Sequence, residues 1–158
     1  QFSSKLPKVK LFLVGPQEPT LDPLAKSTLK AIDQNPSIIL TGYQQDVRPF
    51  LKMAQVFVFP SYREGFPNVV LQAGAMGVPC IVSDINGCNE IIEDKVNGFL
   101  VPPKQIQPLV EKMQFLYKDA EKRTIFIERT QTLIVTNFER AQYWELLLAE
   151  YKRREENV

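Results

Sequence analysis

Histidine is absent from this 158-residue chain. That removes the side chain that titrates nearest neutrality, the commonest metal ligand and every Ser-His or Cys-His nucleophile pair. Cysteine is scarce: Cys80 and Cys88 are too few for a disulfide framework or a four-cysteine zinc site. Charge of one sign is lacking as well. The 19 Lys and Arg against 18 Asp and Glu leave a net +1, so no broad field steers nucleic acid and no nucleic-acid partner is expected. No apolar run approaches the ~18 residues of a membrane span, and no secretory signal pattern opens the chain. The first residue is Gln1, not Met, so the sequence is expected to be a piece of a longer one.

What is present is ordinary for a globular domain: 44% hydrophobic and 23% charged residues. Short apolar runs alternate with helical patterns. Val9–Val14, Ser37–Leu40, Val56–Phe59, Pro79–Val82 and Phe99–Val101 read as buried strands. Between the first two, Leu21, Leu24, Ala25, Leu29 and Ile32 fall on one helical face after Pro19-Thr20, and Asn35-Pro36 stops it. Asp46 is the expected N-cap of the next helix, whose stripe is Val47, Phe50, Leu51 and Ala54. A further helix opens at Pro67 or Asn68 and runs through Gly77. Ile106 to Tyr117, residues 118–137 and Trp144 to Tyr151 complete the helices. The Trp144–Tyr151 stripe is expected to dock on this sheet, with an absent partner domain as the alternative.

Strands apolar on both faces and separated by amphipathic helices indicate an α/β fold: a doubly wound parallel sheet in a single Rossmann-like domain over residues 1–158. Ligands bind such sheets beyond the carboxyl ends of the strands. Attention therefore falls on the loops at Gly15-Pro16, Gly42-Tyr43-Gln44, Pro60–Pro67 and Ser83–Asn89. In the third, a strand ends at Pro60 and a loop presents Glu64, Gly65 and Phe66 before the helix at Pro67-Asn68. Pro suits a first helical turn because its missing N–H is not needed there. The remaining first-turn amides and the positive dipole end suit a diphosphate, and Gly65 allows close backbone approach. The same features also fit plain packing, with Glu64 a solvated loop acid.

The run from Pro60 to Leu100 resembles the donor-binding domain of the large retaining glycosyltransferase family of group 1, the family four type with the GT-B fold. The residues that carry the likeness are Pro60-Ser61, Glu64-Gly65-Phe66-Pro67, Val69, Leu71, Ala73, Ala75, Gly77, Pro79, Ser83-Asp84, Gly87, Glu90-Ile91-Ile92, Asp94 and Asn97-Gly98. The resemblance implies that the parent enzyme transfers a hexosyl unit from a nucleoside diphosphate sugar to a saccharide or lipid-linked saccharide acceptor, in cell-surface polysaccharide synthesis. It implies a catalytic role for Glu64, whose carboxylate would hold the donor sugar's hydroxyls. It places Gly65, Phe66, Pro67, Asn68, Val69 and Val70 against the sugar and phosphates, and Gly42 and Tyr43 near the base. Tyr43 fits a capping aromatic equally well.

The family's second glutamate falls at position 72, with seven residues between it and Glu64, where this chain has Gln72. A glutamine carbonyl still accepts a ribose hydroxyl, at a loss of up to ~1 kcal/mol. The resemblance also implies an N-terminal acceptor domain, and a first strand followed by a G-R-x-x-x-x-K-G-like segment that neutralises the leaving diphosphate. Gln1–Lys8 has no such segment, and Lys5, Lys8 and Lys10 are not equivalents. The chain alone is therefore expected to be inactive. No metal and no cofactor are implied, and the location is cytoplasmic, with peripheral association at the inner membrane face. Rival readings are a non-catalytic nucleotide-binding module, which Gln72 favours, and an epimerase or phosphorylase of the same architecture. Cys80 reads as a core residue, Cys88 as a loop thiol, and Glu90 as structural, capping or tying the next helix.

Overall fold

The computed structural model describes residues 9–17 and 23–155, with only the backbone at Gln142. The contacts divide it into two compact units, Gln1–Ala54 and Gln55–Val158. The expected helical start at Leu21, and Lys5 and Lys8, lie outside the described residues.

The first unit is a β-α-β-α run. β1 (Leu11–Val14) pairs in parallel with β2 (Ile38–Gly42), Leu11 opposite Ile38, with a register shift after Leu13. Between them lies α1 (Lys26–Asp33). Its exit is set by Asn35, whose Oδ1 accepts the Ser37 amide at 3.0 Å, before Pro36 forbids further helix. α2 (Arg48–Met53) follows. Its N-cap is Val47, not the expected Asp46, whose Oδ1 instead accepts the Arg48 amide from one position earlier. The expectation of buried strands fails here: Leu11 and Val14 are exposed and Leu40 keeps 49% of its surface. The reason is size. Two strands and two short helices cannot close both sheet faces, and Leu51 alone is buried in this unit among the described residues.

The second unit is larger. β3 (Phe57–Phe59), β4 (Cys80–Ser83) and β5 (Gly98–Val101) form a parallel sheet in the order β3-β4-β5. Their crossovers carry α3 (Asn68–Ala75) and the single turn α4 (Cys88–Ile91). Then come α5 (Ile106–Lys118), α6 (Ala120–Asn137) and α7 (Arg140–Glu155). All of β4 is buried, as a central parallel strand covered on both faces must be. The core gathers Ile81, Phe99, Val101, Leu116 and Phe126, with the Phe99 and Phe126 rings edge-on at 5.0 Å.

The helix expected within residues 118–137 is α6, opened by Asp119, whose carboxylate accepts the Lys122 amide at 2.8 Å. It buries Phe126, Thr130 and Ile134, one every fourth residue. That face lies so close to α3 that a Cβ on Gly74 would stand 2.5 Å from Thr130 Cγ2 and 2.6 Å from Ile134 Cδ1. α3 ends in a Schellman turn: the Val78 amide reaches the Ala73 carbonyl at 2.9 Å and Gly77 takes φ +73°.

Buried Asn97 ties the turn before β5. Its Oδ1 accepts the Glu93 amide, its Nδ2 donates to the Ile91 carbonyl, and its own carbonyl accepts the Thr130 hydroxyl. The Trp144–Tyr151 stripe does not dock on the sheet as expected. Trp144 remains 53% exposed, and Leu148 and Tyr151 are exposed with it, because Leu116 of α5 and Phe126 of α6 already fill the core.

Candidate functional site

In the second unit the candidate residues gather where β3 and β4 end. β3 stops before Pro60, and the loop that follows bends back through a hydrogen bond of 2.7 Å from the Ser61 hydroxyl to Glu64 Oε1. Glu64 is half-buried, so its carboxylate is held without being sealed from a ligand. Gly65 sits against the β4–α4 turn. A Cβ on Gly87 would overlap the Gly65 carbonyl oxygen and stand 2.9 Å from its carbon, and Gly87 has φ +79°. Phe66 turns outward onto Phe138, with ring centroids 5.6 Å apart.

Pro67 is buried and caps α3 in an extended conformation (φ −79°, ψ 98°) with no side-chain cap. The helix thus begins with open amides. Among the described residues, Asn68 and Val69 donate to no protein acceptor, whereas Val70 donates to the Pro67 carbonyl at 3.0 Å. This corrects the expected amide set: Val70, fully buried, contributes packing and no free donor. Gln72 lies on the exposed surface of α3 within the next turn.

The β4–α4 turn lies behind the acid loop. Glu90 Oε1 accepts the Gly87 amide at 3.1 Å and so caps the start of α4, one of the two structural roles expected of it. Asn89 Nδ2 donates to Asp84 Oδ1 at 3.0 Å. Cys88 is not a loop thiol. It opens α4 and is fully buried, and burial, with the charge of nearby Glu64 second, pushes its pKa up to about 11. Cys80 is a core residue whose thiol burial raises to about 12.

Gly42 and Tyr43 belong to the first unit. Gly42 ends β2, rather than following it, with φ +66°; its carbonyl accepts the Gly15 amide at 3.0 Å, and open space surrounds the position of a Cβ. Tyr43 is 74% exposed. Gln44 is committed locally, its Nε2 donating to the Thr41 carbonyl at 2.8 Å. Among the described residues, no group of three or more Cys, Asp or Glu side chains gathers to hold a metal ion. An open depression on α6, lined by Arg129, Thr132 and Leu133, lies on the helix surface and not at the strand ends.

Two contributors escaped the sequence reading. Gly87 was visible as a glycine, but its role as the only residue that fits against Gly65 was not. Phe138 carried no signal, being far from Phe66 in sequence.

The second unit thus brings an acid loop and an open helix mouth together at the carboxyl end of a parallel sheet. The family model described as "Glycosyl transferases group 1" matches residues 1–119, and the chain belongs to that family. It is 30% identical over 148 residues to the capsular polysaccharide biosynthesis glycosyltransferase CapM of Staphylococcus aureus, covering 94% of this chain and 39% of CapM. It is 38% identical over 76 residues to the UDP-Gal:alpha-D-GlcNAc-diphosphoundecaprenol alpha-1,3-galactosyltransferase of Escherichia coli, covering 48% of this chain and 20% of that protein. The chain thus spans two-fifths or less of these relatives. Among solved structures, the C-terminal domain of the group 1 glycosyltransferase LpcC of Francisella tularensis superimposes with a TM-score of 0.79 at 25% identity, over 88% of this chain and 74% of that one. Anabaena Alr3699/HepE in complex with UDP gives 0.81 at 22% identity, over 90% and 42%. The fold is that of a GT-B C-terminal domain.

Proposed function

We propose that this chain is the donor-binding domain of a retaining glycosyltransferase. In this reading, the whole enzyme moves a hexosyl unit from a nucleoside diphosphate sugar to a saccharide or lipid-linked saccharide acceptor. Its setting is cell-surface polysaccharide synthesis on the cytoplasmic side, at the inner membrane face. One observation carries the reading: the unpartnered Asn68 and Val69 amides open immediately after an acid, Glu64, that Ser61 holds in place. The names of relatives in capsule synthesis and in transfer to diphosphoundecaprenol carriers support the acceptor class.

The chemistry follows from charge. As the bond from the anomeric carbon to the diphosphate oxygen breaks, negative charge collects on the leaving phosphate. The Asn68 and Val69 amides and the dipole of α3 stabilise it there. Glu64 accepts hydrogen bonds from the sugar's hydroxyls and fixes the ring, while the acceptor oxygen takes the same face and its proton passes to the leaving phosphate. Gln72 accepts from the ribose through its carbonyl. Amides and cationic side chains do the work without metal or cofactor.

A second reading, a nucleotide-binding module without catalysis, is favoured by one observation only: Gln72 is uncharged where the family pattern has a glutamate. Calorimetric titration with UDP, GDP, ADP and their glucose esters separates the two. The transferase reading expects Glu64→Ala to weaken a sugar nucleotide while sparing its nucleoside diphosphate. A chain indifferent to the sugar, with Glu64→Ala silent, supports the module instead.

A further inference from the structure

The acid loop is seated from two sides by residues that offer a donor no polar side chain. On one side the Gly87 backbone occupies a place that any Cβ would deny it, against the Gly65 carbonyl and 3.1 Å from Pro67 Cδ as measured from a Cβ position. That turn is itself fixed, because the Gly87 amide is bound by Glu90. On the other side the Phe66 ring leans on Phe138, the half-buried residue that closes α6 and donates its amide to Ile134. Glu64 stands between these anchors and the hydrogen bond from Ser61.

We infer that Gly87 and Phe138 are positioning residues for the Glu64 carboxylate. This rests on the donor reading above and deepens it. Gly87 fixes the peptide that follows the acid, and Phe138 fixes the residue after that, so the carboxylate meets a sugar hydroxyl without first being ordered. A shift of about 1 Å in such a group is enough to cost up to a hundredfold in rate, which is why distant seats matter.

The test uses the full chain and two probes, UDP-glucose and UDP, with affinities read by calorimetry. Phe138→Ala and Gly87→Ala should weaken UDP-glucose on the order of tenfold and leave UDP unchanged. Phe138→Tyr keeps the ring and should bind as wild type. In a Glu64→Ala background neither variant should weaken UDP-glucose further. Gly87→Ala forces φ +79° on alanine and is the variant at risk of unfolding, so Phe138→Ala carries the test if it does. Losses shared equally by both probes, or losses that multiply with Glu64→Ala, overturn the inference and leave the donor reading standing. A wild-type chain that binds neither probe overturns the donor reading, and this inference with it.

Discussion

The Ser61 hydroxyl donates to the Glu64 carboxylate at 2.7 Å, three residues along the same loop. A carboxylate held this way keeps one oxygen occupied and presents the other, so its orientation is set before any ligand arrives. Ser61→Ala should loosen it. The expected loss is about three- to tenfold in sugar-nucleotide affinity, below the full strength of a charged hydrogen bond because Glu64 is only half-buried. Calorimetry with and without the sugar reads this. An equal loss for the bare nucleoside diphosphate would contradict it.

Gln72 is exposed on α3 and carries two amide donors where a ribose offers hydroxyl donors of its own. Gln72→Glu should therefore strengthen nucleoside diphosphate binding by up to about fivefold, with or without the sugar, the scale of one net hydrogen bond. Unchanged affinity would show that residue 72 does not meet the ribose.

The α3–α6 contact depends on Gly74. A methyl group there would meet Thr130 Cγ2 at 2.5 Å and Ile134 Cδ1 at 2.6 Å. Gly74→Ala should destabilise the chain by about 1–3 kcal/mol through overpacking, a fall of several degrees in Tm. The acid loop lies elsewhere, so affinities should hold in the folded fraction. A rise in Tm would refute the overpacking account.

The two thiols make stability sensitive to alkali. Cys80 is raised from 9.0 to about 12 and Cys88 from 9.0 to about 11. Between pH 9 and those values the folded chain holds protons that the unfolded chain has lost, so stability falls as pH rises. For Cys80 the slope approaches about 1.4 kcal/mol per pH unit. Chemical unfolding across pH 8–11 should show the decline, and Cys80→Ala should flatten it. Glu64→Gln removes the neighbouring charge and should lower the Cys88 thiol pKa alone, read by thiolate absorbance.

Much of the second unit was legible because local chemistry and global packing agree there. The buried β4, the helix start at Pro67-Asn68 and the structural role of Glu90 each follow from residue type and spacing. The first unit was misread because apolar strand residues indicate burial only when something covers them, and Leu40 is left open. At the site, position 64 and the helix start could be read from the run Glu64-Gly65-Phe66-Pro67. The loss of the Val70 amide to Pro67, the seat at Gly87 and the ring of Phe138 could not, because each is a meeting of backbones or side chains that spacing does not encode. The Trp144–Tyr151 stripe was visible as a stripe, but not what it faces.

The central claim is that a diphosphate rests on the open amides at the mouth of α3. Amide proton and nitrogen shifts of the isotope-labelled chain, followed during titration with UDP and separately with uridine, test it most directly. The account expects saturable shifts at Asn68 and Val69 with UDP and far smaller ones with uridine, which lacks the phosphates. Shifts confined to other residues, or equal responses to the two compounds, would contradict it.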